Sequence, residues 1–296
     1  MRAASAPDPA QDLNPPLGRL TRVSEKIAAG EYGLRSRIET GDEVGDLSAS
    51  FDHMAEAMEQ KIADLEDTAR RREMLLGALT HEMKTPMTAI IGFSDSLLSM
   101  PLTEESRLEA AHEIHEAARR TERLSQKMMQ MISLKENPAV LQKPVSTRDL
   151  MEKVCAALDA TAKEKGIEIK MEVHADVLTG DPDLLFSLLS NLLDNALKAS
   201  PENSEVRLAA KKYMGIQMLS VTDQGSGIPA DQIDLVTEPF YRVDKARSRR
   251  LGGAGLGLSL CRMIAQAHGG LLDIQSEMGK GTVLSMIWPE MKKEHE

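Results

Sequence analysis

The chain has 296 residues, enough for two or three domains, with 46 Asp and Glu against 36 Lys and Arg, a net charge of −10, and 18 methionines beside 3% aromatics. That balance excludes a general affinity for nucleic acid or anionic lipid, and no basic run with interleaved aromatics appears. The two cysteines, Cys155 and Cys261, lack metal-ligand spacing and read as reduced thiols; no apolar run approaches the roughly 18 residues of a membrane helix, and the first residues lack a signal peptide's apolar core.

Residues 1–12, rich in Ala, Pro and Asp, read as a flexible lead. The spacing Leu17, Leu20, Ser24, Ile27 predicts a short amphipathic helix that Gly30 ends. A non-helical connector follows, with Leu34 and Ile38 as its apolar plugs. Gly41-Asp42-Glu43-Val44-Gly45 then leads into a second helix carrying Leu47, Phe51, Met54 and Met58. Its seam continues through Ile62, Leu65, Ala69, Arg72 and Leu76. From Met58 to Ile62 the step is four where three is due, a phase shift that locally unwinds a coiled coil. It is either the point where a change of helix packing passes onward or a tolerated irregularity.

Beyond Leu76, apolar residues recur at Leu79, Met83, Pro86, Ile90, Phe93 and Leu97 in alternating steps of three and four. His81 falls between seam positions and so points away from the packed side. An exposed imidazole beside the Glu82 carboxylate is available for chemistry, because the carboxylate can take or orient one ring proton while the other nitrogen attacks. A lone surface histidine is also compatible with no role at all. Pro86 should bend the helix just after His81. Met100-Pro101-Leu102 breaks it, Thr103 caps the next, and a second seam runs Ala110, Ile114, Ala117, Thr121, Leu124, Met128, Met131. A hairpin of two seamed helices buries little alone, so two copies pairing into a four-helix bundle, hence a homodimer, are expected.

Asn137-Pro138 and Lys143-Pro144 punctuate a linker over 136–146, after which the periodicity changes. The pattern predicts helices at 148–163, 182–199 and 257–268, and strands at 167–173, 205–211, 216–222, 271–276 and 282–288, the last two flanking a hairpin turn at Met278-Gly279-Lys280-Gly281.

Four pieces of this α/β region carry chemistry. Asn191, Asn195 and Lys198 share one helix face, where amide oxygens and an ammonium suit a magnesium-bound triphosphate; a solvated polar face is the plain alternative. Asp223, at a strand end before Gly225 and Gly227, can accept from an exocyclic amine, or can simply make an Asp-Gly turn. Gly252-Gly253-Ala254-Gly255-Leu256-Gly257 precedes a helix, so its amides can face phosphate oxygens. Before it lie Arg242, Lys245, Arg247, Arg249 and Arg250, a cationic loop in which no single arginine stands out. Gly279-Lys280-Gly281-Thr282 closes the set.

His81-Glu82-Met83-Lys84-Thr85-Pro86 resembles the phospho-acceptor box of sensor histidine kinases, and the other pieces match that family in order. Residues 13–62 resemble a HAMP relay module, 63–135 the dimerisation and phospho-acceptor hairpin, and 147–290 the ATP-binding domain, with a tail at 291–296. Asn191-Leu192-Leu193-Asp194-Asn195-Ala196-Leu197-Lys198 is similar to the family's N box, and the glycine-rich pieces to its glycine boxes. The implied fold is an all-α dimeric coiled coil and four-helix bundle followed by an α/β sandwich of the histidine kinase and Hsp90-like type.

The resemblance implies ATP and Mg2+ as cofactors, His81 as acceptor, Glu82 as base or orienter, and Thr85 as the residue positioning a water for a phosphatase reaction. It implies Asn195 on the metal, Asn191 and Lys198 at the phosphates, Asp223 on adenine, and Gly225, Gly227, Gly253, Gly255, Gly257 and Thr282 around the nucleotide, with residues 238–256 as a lid. The implied partners are a second copy of the chain, a response regulator whose aspartate takes the phosphoryl group, and a membrane sensor portion absent from this chain, which places these residues on the cytosolic side. The family often has Phe-x-Pro-Phe before the lid, where this chain has Thr237-Glu238-Pro239-Phe240. Related chaperone and topoisomerase ATPases carry a Glu one turn before the magnesium Asn; here that position is Asn191, which favours transfer over hydrolysis. A signalling scaffold with an idle nucleotide site is the third reading.

Overall fold

The computed structural model describes residues 14–137, 140–243 and 254–290. The lead at 1–12, Pro138, the tail at 291–296, and Gly252, Gly253, Lys245, Arg247, Arg249 and Arg250 of the expected lid lie outside them. Two compact units result, Met1–Gly77 and Ala78–Glu296.

In the first unit, helix α1 spans Asn14–Ala28, with Pro15 and Pro16 inside its first turn. Proline fits there because the first-turn amides have no intrahelical acceptor. Gly30, at φ 105°, ends the helix as expected. Helix α2 begins at Glu43 and continues as one 57-residue element to Ser99, through both the phase shift after Met58 and Pro86. Asp42 starts it: its carboxylate accepts from the amides of Val44 and Gly45, both at 3.2 Å, and from the Thr40 hydroxyl at 2.6 Å. A side chain at Gly45 would collide with the Thr40 carbonyl, a Cβ lying 1.9 Å from that oxygen. Asp-Glu-x-Gly is therefore a cap followed by a close backbone approach.

The connector is held differently from the expectation. Leu34 and Ile38 are only half-buried. The fully buried residue is Ser36, whose hydroxyl meets Ser48 Oγ at 2.7 Å and Asp52 Oδ1 at 2.9 Å. Asp52 also accepts from the amides of Ser36 (2.6 Å) and Arg37 (3.0 Å), so a polar knot on α2 pins backbone donors that a connector cannot pair with itself.

In the second unit, the remainder of α2 is followed by α3 (Glu104–Glu136), capped by the Thr103 hydroxyl, which accepts from the Ser106 amide. The expected seam of α3 is its least exposed face, with Ala110, Leu124, Met128 and Met131 buried. Two short strands fall where none was predicted: β1 (Lys143–Ser146), inside the expected linker, and β3 (Val177–Gly180), which pair antiparallel.

The remaining elements follow the predicted order. They are α4 (Thr147–Glu164), β2 (Glu168–Val173), α5 (Pro182–Ala199), β4 (Glu205–Tyr213), β5 (Ile216–Asp223), α6 (Gly257–Ala267), β6 (Leu271–Glu277) and β7 (Gly281–Pro289). Five strands form one sheet in the order β2-β4-β5-β7-β6, with only β2 and β4 parallel.

Helix α5 is the centre of this layer. Asp181 caps it, Pro182 opens it, and Leu185, Leu188, Leu189, Leu192, Leu193 and Leu197 are fully buried between α4, α6 and β5. That apolar stripe fixes the rotation of the helix, and so aims the opposite face, with Asn195 and Lys198, outward. At the sheet's end, the chain's single tryptophan, Trp288, donates from Nε1 to the Thr179 carbonyl at 2.8 Å. The Gln217 side chain bonds both backbone groups of Thr179, tying β3 to β5.

Candidate functional site

The face that α5 turns outward borders a cavity of about 480 Å3, whose wall includes Asn195, Lys198, Gly227, Gly255 and Gly257. Its size suits a small-molecule ligand. The β5–β6 region closes one end. Gly227, at φ 72°, has backbone where no other residue fits: a Cβ there would lie 2.2 Å from the Glu277 carbonyl. On the other side, Gly257 opens α6 so closely over α5 that a Cβ would stand 3.4 Å from Asn191 Oδ1 and 3.5 Å from Asn195 Nδ2.

Asp223 is 5% exposed and sits at the end of β5, beside this cavity rather than in its wall. Its Oδ1 accepts from the amides of Gly225 (2.7 Å) and Thr282 (3.2 Å), so three of the predicted residues form one hydrogen-bonded knot. Burial pushes this carboxyl above the usual carboxylate range, against the pull of those two donors. Thr282 reaches onward, its hydroxyl 2.8 Å from Ser276 Oγ.

Asn191 is drawn toward the hairpin. Its Oδ1 accepts from Lys127 Nζ on α3 at 2.6 Å and its Nδ2 donates to the Ser187 carbonyl at 2.7 Å. Lys198 pairs with Asp194 one turn earlier at 2.7 Å. Among the described residues, no cluster of three His, Cys, Asp or Glu side chains could hold a metal ion by itself. The oxygen ligands at the cavity are the Asn195 amide and the Asp194 carboxylate, the latter paired with Lys198, a sparse set that suits Mg2+ carried mainly by phosphates and water.

Helix α2 reaches the same cavity through an arginine. His81 is exposed on α2 with Thr85 one turn on, the Thr85 hydroxyl donating to the His81 carbonyl at 3.4 Å. Glu82 is not turned to His81: its Oε2 accepts from Arg242 Nη2 at 2.7 Å, and the two side chains are 18% and 7% exposed. Arg242 lines the cavity wall, and its Nε is buried without a partner. The sequence singled out no arginine of this loop; the structure singles out Arg242. Nearby, Thr237 occupies the position where the family often has an aromatic. Its hydroxyl accepts from Arg262 Nη1 at 3.0 Å and donates to the Asp234 carbonyl at 3.1 Å, so polar bonds hold this turn.

Three family models match the chain in succession. The HAMP domain matches residues 16–60, the His Kinase A (phospho-acceptor) domain residues 71–137, and the histidine kinase-, DNA gyrase B-, and HSP90-like ATPase residues 180–292. The chain belongs to the sensor histidine kinases. Among curated relatives, the sensor histidine kinase YclK of Bacillus subtilis is 29% identical over 93% of this chain and 59% of its own length. Sensor protein CutS of Streptomyces coelicolor is 28% identical over 93% of this chain and 65% of its own. The chain thus spans about three-fifths of the length of these two relatives.

Among solved structures, full-length ShkA in complex with AMPPNP is similar at 28% identity and a TM-score of 0.56, covering 73% of this chain and 45% of that one. The fold is shared by ThkA in complex with the response regulator protein TrrA, at 20% identity and a TM-score of 0.60, over 79% of this chain and 68% of that one. The family's helical region followed by an α/β ATPase domain is the architecture seen here.

Proposed function

We propose that this histidine kinase transfers the γ-phosphoryl group of ATP to His81 and from there to an aspartate of a response regulator. The observation that carries the reading is the Glu82–Arg242 pair. The residue next to the exposed imidazole is held by an arginine in the wall of the cavity that Asn195, Lys198 and Gly257 border.

In the reaction, an imidazole nitrogen of His81 attacks phosphorus, an N–P bond forms, the bond to ADP breaks, and the ring gives up its proton. Glu82, once released from Arg242, accepts or orients that proton. Asn195 is the residue that would hold Mg2+, which supplies charge neutralisation at the phosphates; Lys198 and Asn191 assist there. Asp223, whose Oδ1 is committed to Gly225 and Thr282, presents Oδ2 to the adenine amine. Gly225, Gly227, Gly255 and Gly257 let backbone approach the nucleotide, and Gly253, outside the described residues, is assigned with them by resemblance.

Asn191, bound through both ends of its amide, offers no carboxylate to activate water, which supports transfer over hydrolysis. Thr85, exposed one turn after His81, serves the reverse task of positioning a water for removal of phosphate from the regulator. Leu65 and Leu76 of the expected seam, and Met87 and Ile91 beside it, are exposed in the single chain, apolar surface that pairing with a second copy covers. The proposed domain limits are those the resemblance implies, and the HAMP match at 16–60 supports a position on the cytosolic side of a membrane sensor. No helix among the described residues is long and apolar enough to cross a membrane.

Incubating the chain and His81→Ala with γ-labelled ATP and Mg2+ tests the proposal. Label that is lost in acid, persists in base and is absent from the variant is expected. Phosphate released equally by both, with nothing bound, would favour an ATPase instead.

A further inference from the structure

We propose that the hairpin itself completes the nucleotide site: Arg120, Arg123 and Lys127 of α3 form a cationic wall that binds the triphosphate, with Lys127 its central contact. The inference rests on the kinase reading and deepens it. These residues recur at steps of three and four, so they share one face of α3. All three line the cavity that Asn195 and Lys198 border from the opposite side. Adjacent positions Leu124, Met128 and Met131 are buried where α3 packs on α6, which fixes the rotation that presents the three cations.

The charge around the cavity is unbalanced. Of the five cations in its wall, Lys198 is paired with Asp194 and Arg242 with Glu82, both at 2.7 Å, which leaves Arg120, Arg123 and Lys127 as the excess positive charge. Among the described residues, none of the three α3 cations has a carboxylate partner, and the buried Nε of Arg242 has no acceptor. Lys127 bonds only a neutral amide, Asn191 Oδ1. Burial, first, and then the positive charges of Lys198 and Arg123 press its ammonium below the usual lysine range, with Asp194 opposing. A set of cations with excess donors lining one cavity matches a polyanion, since charge-assisted bonds to phosphate satisfy both the charges and the donors. A nucleotide triphosphate bound here touches α3 and α5 together, so occupancy of the site and seating of the hairpin on the ATP domain become one equilibrium.

The test is equilibrium binding of the magnesium complex of a non-hydrolysable triphosphate analogue, and of adenosine, to the full chain and to Lys127→Met and Arg123→Gln. Methionine keeps the apolar stem of Lys127 and removes its charge; Arg123 is exposed, so its variant does not threaten the fold. Each variant is expected to weaken the triphosphate analogue, Lys127→Met by about tenfold, the equivalent of ~1.4 kcal/mol, while adenosine binding stays as in the parent.

Equal loss for both ligands would make Lys127 a packing residue and overturn the proposal. Unchanged triphosphate affinity would also overturn it, and tighter binding would show Lys127 to be a plug on Asn191. A parent chain that binds neither ligand removes the kinase reading itself, a result distinct from all of these.

Discussion

Glu82 and Arg242, 160 positions apart in the chain, share a 2.7 Å ion pair that is largely shielded from water. The carboxylate expected to serve the His81 proton is thus engaged by an arginine of the nucleotide cavity. The two residues act as a unit. We predict that Glu82→Gln lowers the initial rate of His81 phosphorylation by ~10²-fold, the scale of a lost general base. Arg242→Ala frees Glu82 but also strips a cation from the cavity wall, so it lowers the rate as well, and the double variant loses less than the two free energies added together. Strict additivity in the rate of label incorporation would show that the pair is not functional.

Asp223→Asn should separate recognition from folding. The amide oxygen can still accept from Gly225 and Thr282, while a buried carboxyl disfavoured as an anion is removed. We expect a thermal midpoint at or above that of the parent, with nucleotide affinity reduced by at least ~10-fold because an NH2 now faces the adenine amine. Retained affinity would remove Asp223 from the site.

Asp52 is predicted to govern the connector between α1 and α2. Burial raises its carboxyl pKa, but the amides of Arg37 and Ser36 and the Ser36 hydroxyl outweigh this and hold it below the usual value. A lowered folded pKa gives stability that is present above the unfolded value of about 3.9 and lost as pH falls through the folded one. In Asp52→Ala, hydrogen exchange at the Ser36 and Arg37 amides should accelerate, at the buried Ser36 by at least ~10-fold, since both donors lose their acceptor. Unaltered exchange would refute the role given to this knot.

His268 makes the ATP domain sensitive to mild acid. Its Nδ1 donates to the Ile264 carbonyl at 2.8 Å and its Nε2 accepts from the Asp181 amide at 3.1 Å, so the ring is neutral. Burial lowers its pKa, opposed by Ile264 and Asp181. Below about pH 6.5 the unfolded chain takes up a proton that the folded domain refuses, so stability falls as pH drops through that region. Thermal midpoints at pH 7.5 and 5.5 should differ more for the parent than for His268→Gln, although the variant is less stable outright. Equal differences would exclude His268 as the source.

Much of the site was legible because its residues obey local rules. Asn195 and Lys198 declare themselves by helical spacing opposite a leucine stripe, and Asp223 by standing between a strand and a glycine turn. What stayed hidden depended on distant chain segments. Lys127 sits in α3 among ordinary polar positions, and the face it shares with Arg120 and Arg123 gains a meaning only once α5 borders the same cavity. Arg242 was one of five cations in its loop until Glu82 distinguished it. Strands β1 and β3 are four residues each, and Pro144 in β1 argued against a strand; a two-stranded pair tolerates proline where no further neighbour needs its missing donor. Ser36 was overlooked because apolar residues are the usual guide to burial, and here a carboxylate did the anchoring.

Trp288 gives this protein an optical readout of its own. It is the one indole in the chain, fully buried, with its N–H on Thr179 and its ring edge-on to His268 at 6.4 Å. Emission from a single fluorophore comes from one place, so a red shift on denaturation reports the opening of the β3–β7 junction and nothing else. An imidazolium quenches indole fluorescence more strongly than neutral imidazole does. Intensity followed against pH therefore titrates His268 inside the intact domain, with no label and no substitution.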